Sequence, residues 1–160
     1  NSSKIYQAFV TEGFQRATGK PFGGAMGQSL MLRFILTAKR GIILMYIVNE
    51  NEREYRFGDS GPKYLMKGPR SNFALVAFNP GQDFKAHYHN VMEENFFILE
   101  GEIDIVVDGV VNHLKAGDLI HIEPGEIHYC INNYDKPMKM ISTLAPFTDP
   151  DKVDVENYTY

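Results

Sequence analysis

His87 and His89 stand two residues apart, Glu94 follows five residues later, and His128 comes from a later stretch that also carries Asn132. Side chains alternate faces along an extended chain, so residues two apart point the same way. His87 and His89 therefore share a face, with Tyr88 on the other, and Lys85 joins the histidines if the strand starts that early. Glu94 leads into Asn95-Phe96-Phe97-Ile98-Leu99, a run whose residue types favour a pleated, buried surface. Two imidazoles, a hard carboxylate and a third imidazole from far along the chain form a donor set for one divalent first-row ion: iron, manganese, nickel or zinc. Four protein ligands around an ion that accepts six leave two positions for water, dioxygen or a chelating substrate.

Glycines frame both patches. Gly81-x5-His87-x-His89-x4-Glu94-x6-Gly101 resembles the first motif of the cupin family without a mismatch. Gly117-Asp118-x5-Pro124-Gly125-x2-His128-x3-Asn132 resembles its second, with Glu123 where the family usually has a proline. The departure touches a turn and leaves the histidine in place. The resemblance covers about residues 70 to 145. It implies an all-β double-stranded β-helix, a jelly-roll barrel, in which His87, His89, Glu94 and His128 bind one metal ion. Two motifs in the right order and separation are far more specific than a lone His-x-His.

The neighbours of these ligands shape what the site can take. Phe96 and Ile98 follow Glu94 inward, giving an apolar wall that serves core packing and substrate shape alike. Glu93 competes as the carboxylate, but Glu94 has the face of Phe96 and Ile98 and the motif's spacing. Cys130 and Asn132 alternate with His128 and belong on its face, where Cys130 is a small core residue or a thiol beside the ion. Lys85 either binds an acidic substrate or solvates the mouth. His113 and His121 fall outside both motifs and read as strand histidines.

Short β-rich runs position these groups. They span 44–48, 73–78, 85–89, 96–99, 103–107, 119–122, 128–131 and 139–144. Asp108-Gly109 is a two-residue hairpin signal between Ile103–Val107 and Val110–His113. Asn79-Pro80-Gly81 and Glu123-Pro124-Gly125 are turns in which proline fixes one dihedral and glycine accepts a positive one. Strands at this spacing suit a jelly roll or small barrel.

The chain has 160 residues, 44% of them hydrophobic and 22% charged, enough for one core with an extension rather than two domains. No apolar run reaches the length of a membrane span. Cys130 is the single cysteine, which rules out an internal disulfide and suits a reducing, cytoplasmic setting. Charge is uneven: residues 1–44 hold six cations against Glu12 alone, although the net charge is −4. That contrast separates a basic N-terminal extension, 1–44, from a barrel domain, 45–160. Gln28–Lys39 is helix or strand by its pattern. The extension reads as a structured arm on the barrel or on a second subunit, as a transit-like leader, or as material ahead of a functional start at Met45. Its apolar part, Leu30 to Ile47, favours a homodimer.

Six cations diluted by glycine are a poor nucleic-acid footprint, and there is no nucleophile-elbow pattern. Two functions are expected. One is a metal-dependent enzyme acting on a small oxygen-rich molecule by dioxygenase or oxidase, decarboxylase or isomerase chemistry, with Glu94 turning from ligand to base. The other is a barrel that binds or senses such a molecule without converting it. Resemblance to a fold does not choose between them.

Overall fold

The computed structural model describes residues 45–158. The 1–44 extension and the Gln28–Lys39 element lie outside the described residues. Ten strands follow a short 3-10 turn at Glu50–Glu52: β1 Gly61–Lys67, β2 Asn72–Phe78, β3 His87–His89, β4 Glu93–Glu100, β5 Glu102–Val107, β6 Val110–Lys115, β7 Leu119–Ile122, β8 His128–Ile131, β9 Met138–Ala145 and β10 Lys152–Asp154. They form two five-stranded antiparallel sheets, ordered β1-β2-β9-β4-β7 and β10-β3-β8-β5-β6. This is the all-β, double-stranded β-helix arrangement that the motifs imply.

The sheets close on one core because period-two patterning assigns a face to every strand. In β9, Met138, Met140, Ser142 and Leu144 are buried in strict alternation with partly exposed neighbours. In β4, Glu94, Phe96 and Ile98 are buried in the same way. Val76, Phe78, Ile98, Ile103, Ile105, Ile122, Cys130 and Met140 pack together between the sheets. A smaller cluster of Ala86, Val106 and Tyr129 lies on the other face of the second sheet, with Val155 and Tyr158 packed against it.

Tight turns set the register. Asp108 and Gly109 both have positive φ, 46° and 83°, the pair of conformations that a type I′ hairpin turn requires between β5 and β6. The turn before β8 is joined to β3 by Gly125 N–H, which donates to His89 O at 2.8 Å. Glu123 explains its own departure from the motif: its N–H donates to Glu126 Oε2 at 2.7 Å, a bond that a proline has no hydrogen to make.

Three sequence expectations change. Residues 45–48 form no strand, since no ladder partner engages them among the described residues. The Lys85 start of β3 is too early, because pairing begins at His87. Two strands were not foreseen, β1 and β10, both at sheet edges.

Candidate metal centre

β3 and β8 lie side by side with His87 directly opposite His128, and His89 follows one period along β3. Glu94 comes from the facing sheet, where β4 is flanked by β7 and β9 and pairs Glu94 with Ile122 and Leu144. One ligand atom from each of the four residues falls within 4.8 Å of all the others, and all four residues are buried. The Nε2 atoms of His128, His89 and His87 lie 3.2, 3.3 and 3.9 Å from a single atom, Glu94 Oε2.

Hydrogen bonding decides which nitrogens are free. His87 Nδ1 lies 2.8 Å from Lys85 O and His128 Nδ1 2.9 Å from Glu126 O. A carbonyl only accepts, so each Nδ1 carries a hydrogen and, in the neutral ring, the lone pair sits on Nε2. His89 Nδ1 has no hydrogen bond among the described residues and faces Asp151 Oδ2 at 3.6 Å. Asp151 is itself fixed by the N–H groups of Val91 and Met92. The remaining oxygen of Glu94, Oε1, accepts from Ser142 Oγ at 2.7 Å.

Lone pairs aimed at a carboxylate oxygen in a buried place repel unless positive charge lies between them. Protons or a metal ion can supply it. Burial pushes the His87 imidazole below its ordinary value, against the opposite pull of Glu94. Burial would raise the Glu94 carboxyl, but hydrogen bonds from His128, His87 and His89 outweigh it and hold that carboxyl well below the usual carboxylate range. A first-row ion sits about 2.0–2.2 Å from such donors, which places two of its ligand atoms roughly 3 to 4 Å apart. The three nitrogen–oxygen separations fall in that interval, so the donor chemistry and the spacing both fit a divalent ion.

A cavity of about 420 Å³ reaches these groups. His87, His89 and Glu94 form part of its wall together with Met92, Phe96 and Leu144, while His128 is not on the wall. Lys85 also lines it, exposed and 3.9 Å from Glu156. Three expected pocket residues belong elsewhere. Ile98 and Cys130 are fully buried in the core between the sheets, and burial, then the charge of Glu94, push the Cys130 thiol well above its ordinary value, leaving it a neutral core group. Asn132 stands just past the end of β8, where strand alternation no longer applies. Its amide instead donates to Phe78 O and Lys136 O and accepts from Tyr134 N–H, fastening two turns.

His113 is hydrogen-bonded to Asp104, and His121 to Asn95 and Glu123, both away from the cluster. Sequence reasoning passed over Ser142 and Asp151. Ser142 had a readable signal, a lone hydroxyl at an inward position of an apolar strand. Asp151 had none, because it arrives from a loop about 60 residues downstream of its partners.

Residues 74–144 match the family described as Cupin domain. The chain is 31% identical over 93 residues to the polyketide synthase CurC of Streptomyces cyaneus, a match that covers 56% of this chain and 60% of that protein. It is 33% identical over 61 residues to quercetin 2,3-dioxygenase of Bacillus subtilis, covering 38% of this chain and 18% of that enzyme. The chain thus spans less than two thirds of the length of these relatives. Among solved structures, a conserved protein with a double-stranded β-helix domain from Klebsiella pneumoniae superposes with a TM-score of 0.61 at 25% identity, over 71% of this chain and all of that one.

Proposed function

Since the chain belongs to the cupin superfamily, we propose that it is a metal-dependent enzyme that holds one divalent transition metal ion on His87, His89, Glu94 and His128 and acts on a small oxygen-rich organic molecule. One observation carries this reading: three imidazole nitrogens converge on a single carboxylate oxygen, with two of the rings fixed by backbone carbonyls so that their free lone pairs face that point. When bound there, an iron, manganese, nickel or zinc ion would supply Lewis acidity, and all but zinc also redox chemistry.

The chain's own groups do the rest. His87 and His128 keep Nε2 pointing inward because their Nδ1 hydrogens are already engaged. Ser142 holds Oε1 of Glu94 and leaves Oε2 facing the imidazoles, so Oε2 is the oxygen that would hold the ion, and only when not so engaged would it serve as a base toward a substrate seated in the cavity. Phe96, Met92 and Leu144 keep water away from that oxygen and pack the substrate's apolar body. The similarity to a quercetin dioxygenase supports oxygen-dependent chemistry among the possible reactions. Two copies pair as a homodimer in this reading, and the lone, buried Cys130 suits a reducing cytoplasmic compartment.

Metal analysis tests the site. Protein stripped with a chelator and reloaded retains about one equivalent of ion, and His87→Ala and Glu94→Gln retain little under the same washing; equal content in all three removes the assignment. Oxygen uptake by iron-loaded protein across catechols, flavonols, diketones and keto acids then tests turnover. Silence across that panel with metal bound removes the oxygenase reading and favours isomerisation or simple binding.

A further inference from the structure

The cavity that reaches the imidazoles also carries four cations, and they are not equivalent. Lys67 Nζ lies 3.1 Å from Asp149, Lys152 Nζ 2.9 Å from Asp154 and Lys85 Nζ 3.9 Å from Glu156. Each lysine on this wall thus has a carboxylate beside it. Arg56 lines the same cavity and has no ion pair and no side-chain hydrogen bond among the described residues. Its backbone, in contrast, is pinned: Arg56 N–H donates to Pro62 O at 3.0 Å, and the turn closes through Gly58 N–H to Tyr55 O and Phe57 N–H to Ser60 O. The next residue, Phe57, is 65% exposed and lines the cavity too.

A fixed turn thus places in the lining an arginine with no side-chain partner among the described residues and an exposed ring, in the same cavity that His87, His89 and Glu94 line. We propose that the substrate is an organic acid whose carboxylate is held by Arg56, while its oxygen-bearing end meets the His87, His89 and Glu94 wall and its apolar body lies against Phe57. This deepens the metal-dependent reading and rests on it for the oxygen-bearing end alone. The planar guanidinium offers parallel donors that match the two oxygens of a carboxylate, which an ammonium cannot. The charges agree as well. Arg56 and the three lysines of the lining are matched by Asp83, Glu94, Asp149 and Asp151, so a bound divalent ion would leave the cavity as a whole net positive and draw an anion. Arg56 is thereby assigned as the residue that selects acids over neutral analogues.

Calorimetry on zinc-loaded protein tests this with three chelating diols: catechol, 3,4-dihydroxybenzoate and 3-(3,4-dihydroxyphenyl)propanoate, the last two placing a carboxylate at different reach. At least one acid is expected to bind about tenfold or more tightly than catechol, the scale of a charge-assisted bidentate pair. In Arg56→Ala that preference falls to about twofold or less, and Arg56→Lys lies between, because a point charge replaces the fork. An acid preference that survives in Arg56→Ala, or wild-type protein that prefers neither acid, overturns the proposal. Zinc content of the same samples reports separately on the metal centre. Absent zinc with an Arg56-dependent acid preference overturns the metal reading and leaves the acid assignment standing.

Discussion

Each imidazole at the centre has a different outer neighbour, and that neighbour decides how firmly the ring is aimed. His87 and His128 lean on backbone carbonyls, which cannot be mutated away, whereas His89 faces the Asp151 carboxylate and Glu94 leans on the hydroxyl of Ser142. Groups of this kind typically alter metal affinity by about 10–100-fold when removed. Ser142→Ala is therefore expected to keep the fold and weaken zinc affinity by about that factor, measured by competition with a chromogenic chelator; unchanged affinity means Ser142 merely fills space. A second residue gives a pH dependence away from the centre. Burial would raise the Asp104 carboxyl, but donors from Asn133, His113 and Tyr134 outweigh it and hold it below the ordinary range. With the folded value below the unfolded one, the unfolded chain binds more protons in the interval between them, so this contribution is complete above the unfolded value of about 3.9 and is lost as pH falls through the folded one. Urea midpoints of wild type and Asp104→Asn should differ most at neutral pH and converge below about pH 4. A gap that widens on acidification contradicts the sign.

At the level of elements, two glycines with similar positive φ separate backbone strain from crowding. Gly101 joins β4 to β5 at φ 77°, and a Cβ there would lie 2.7 Å from Pro137 O and 2.9 Å from Met138 Cα. Gly109, at φ 83°, has nothing within 4 Å. Gly109→Ala is expected to cost about 1 kcal/mol from the left-handed conformation alone, whereas Gly101→Ala adds a backbone clash and reaches about 2–4 kcal/mol. Equal losses in chemical unfolding would mean that the neighbours of Gly101 yield freely. The contrast shows what a sequence can carry. A glycine block marks a turn, and period-two spacing fixes where a Cβ points, so His87, His89, Glu94, Phe96 and β5 to β9 were legible from residue order. Partners are not legible in that way. Counting puts Asn132 on the face of His128, yet β8 ends at Ile131 and the Asn132 amide bonds to the backbone instead. β1 went unseen because Gly-Pro-Lys-Tyr-Leu-Met-Lys mixes a proline and two lysines into a strand, which an edge position tolerates. The apolar run ending at Val48 has β-favouring residues, but residues 45–48 join no ladder among the described residues.

Across the whole molecule, the register aligns an apolar row on the outer face of the first sheet. Leu75 pairs with Ile141, Ile141 with Phe97, and Phe97 with Leu119, so one row crosses β2, β9, β4 and β7. These positions alternate with inward Val76, Met140, Phe96 and Ile98, which places them opposite the core. At its β7 end the row is uncovered: Leu119 is 61% exposed and Phe97 37%. A sheet surface of this kind, continuous over several strands, is where two copies of a chain can bury apolar area against each other. The homodimer of the proposed function is expected to use it. Light scattering at micromolar concentration should give twice the chain mass of 18.2 kDa. Leu119→Lys, which sets a charge at the exposed end of the row without touching the core, should shift that mass toward the monomer and leave the unfolding midpoint of the isolated barrel within about 0.5 kcal/mol of its original stability, as surface substitutions do. Metal content must also survive in Leu119→Lys, because the ligands all belong to one chain. A monomeric parent, or a dimer indifferent to this charge, removes the outer face of the first sheet as the seat of pairing.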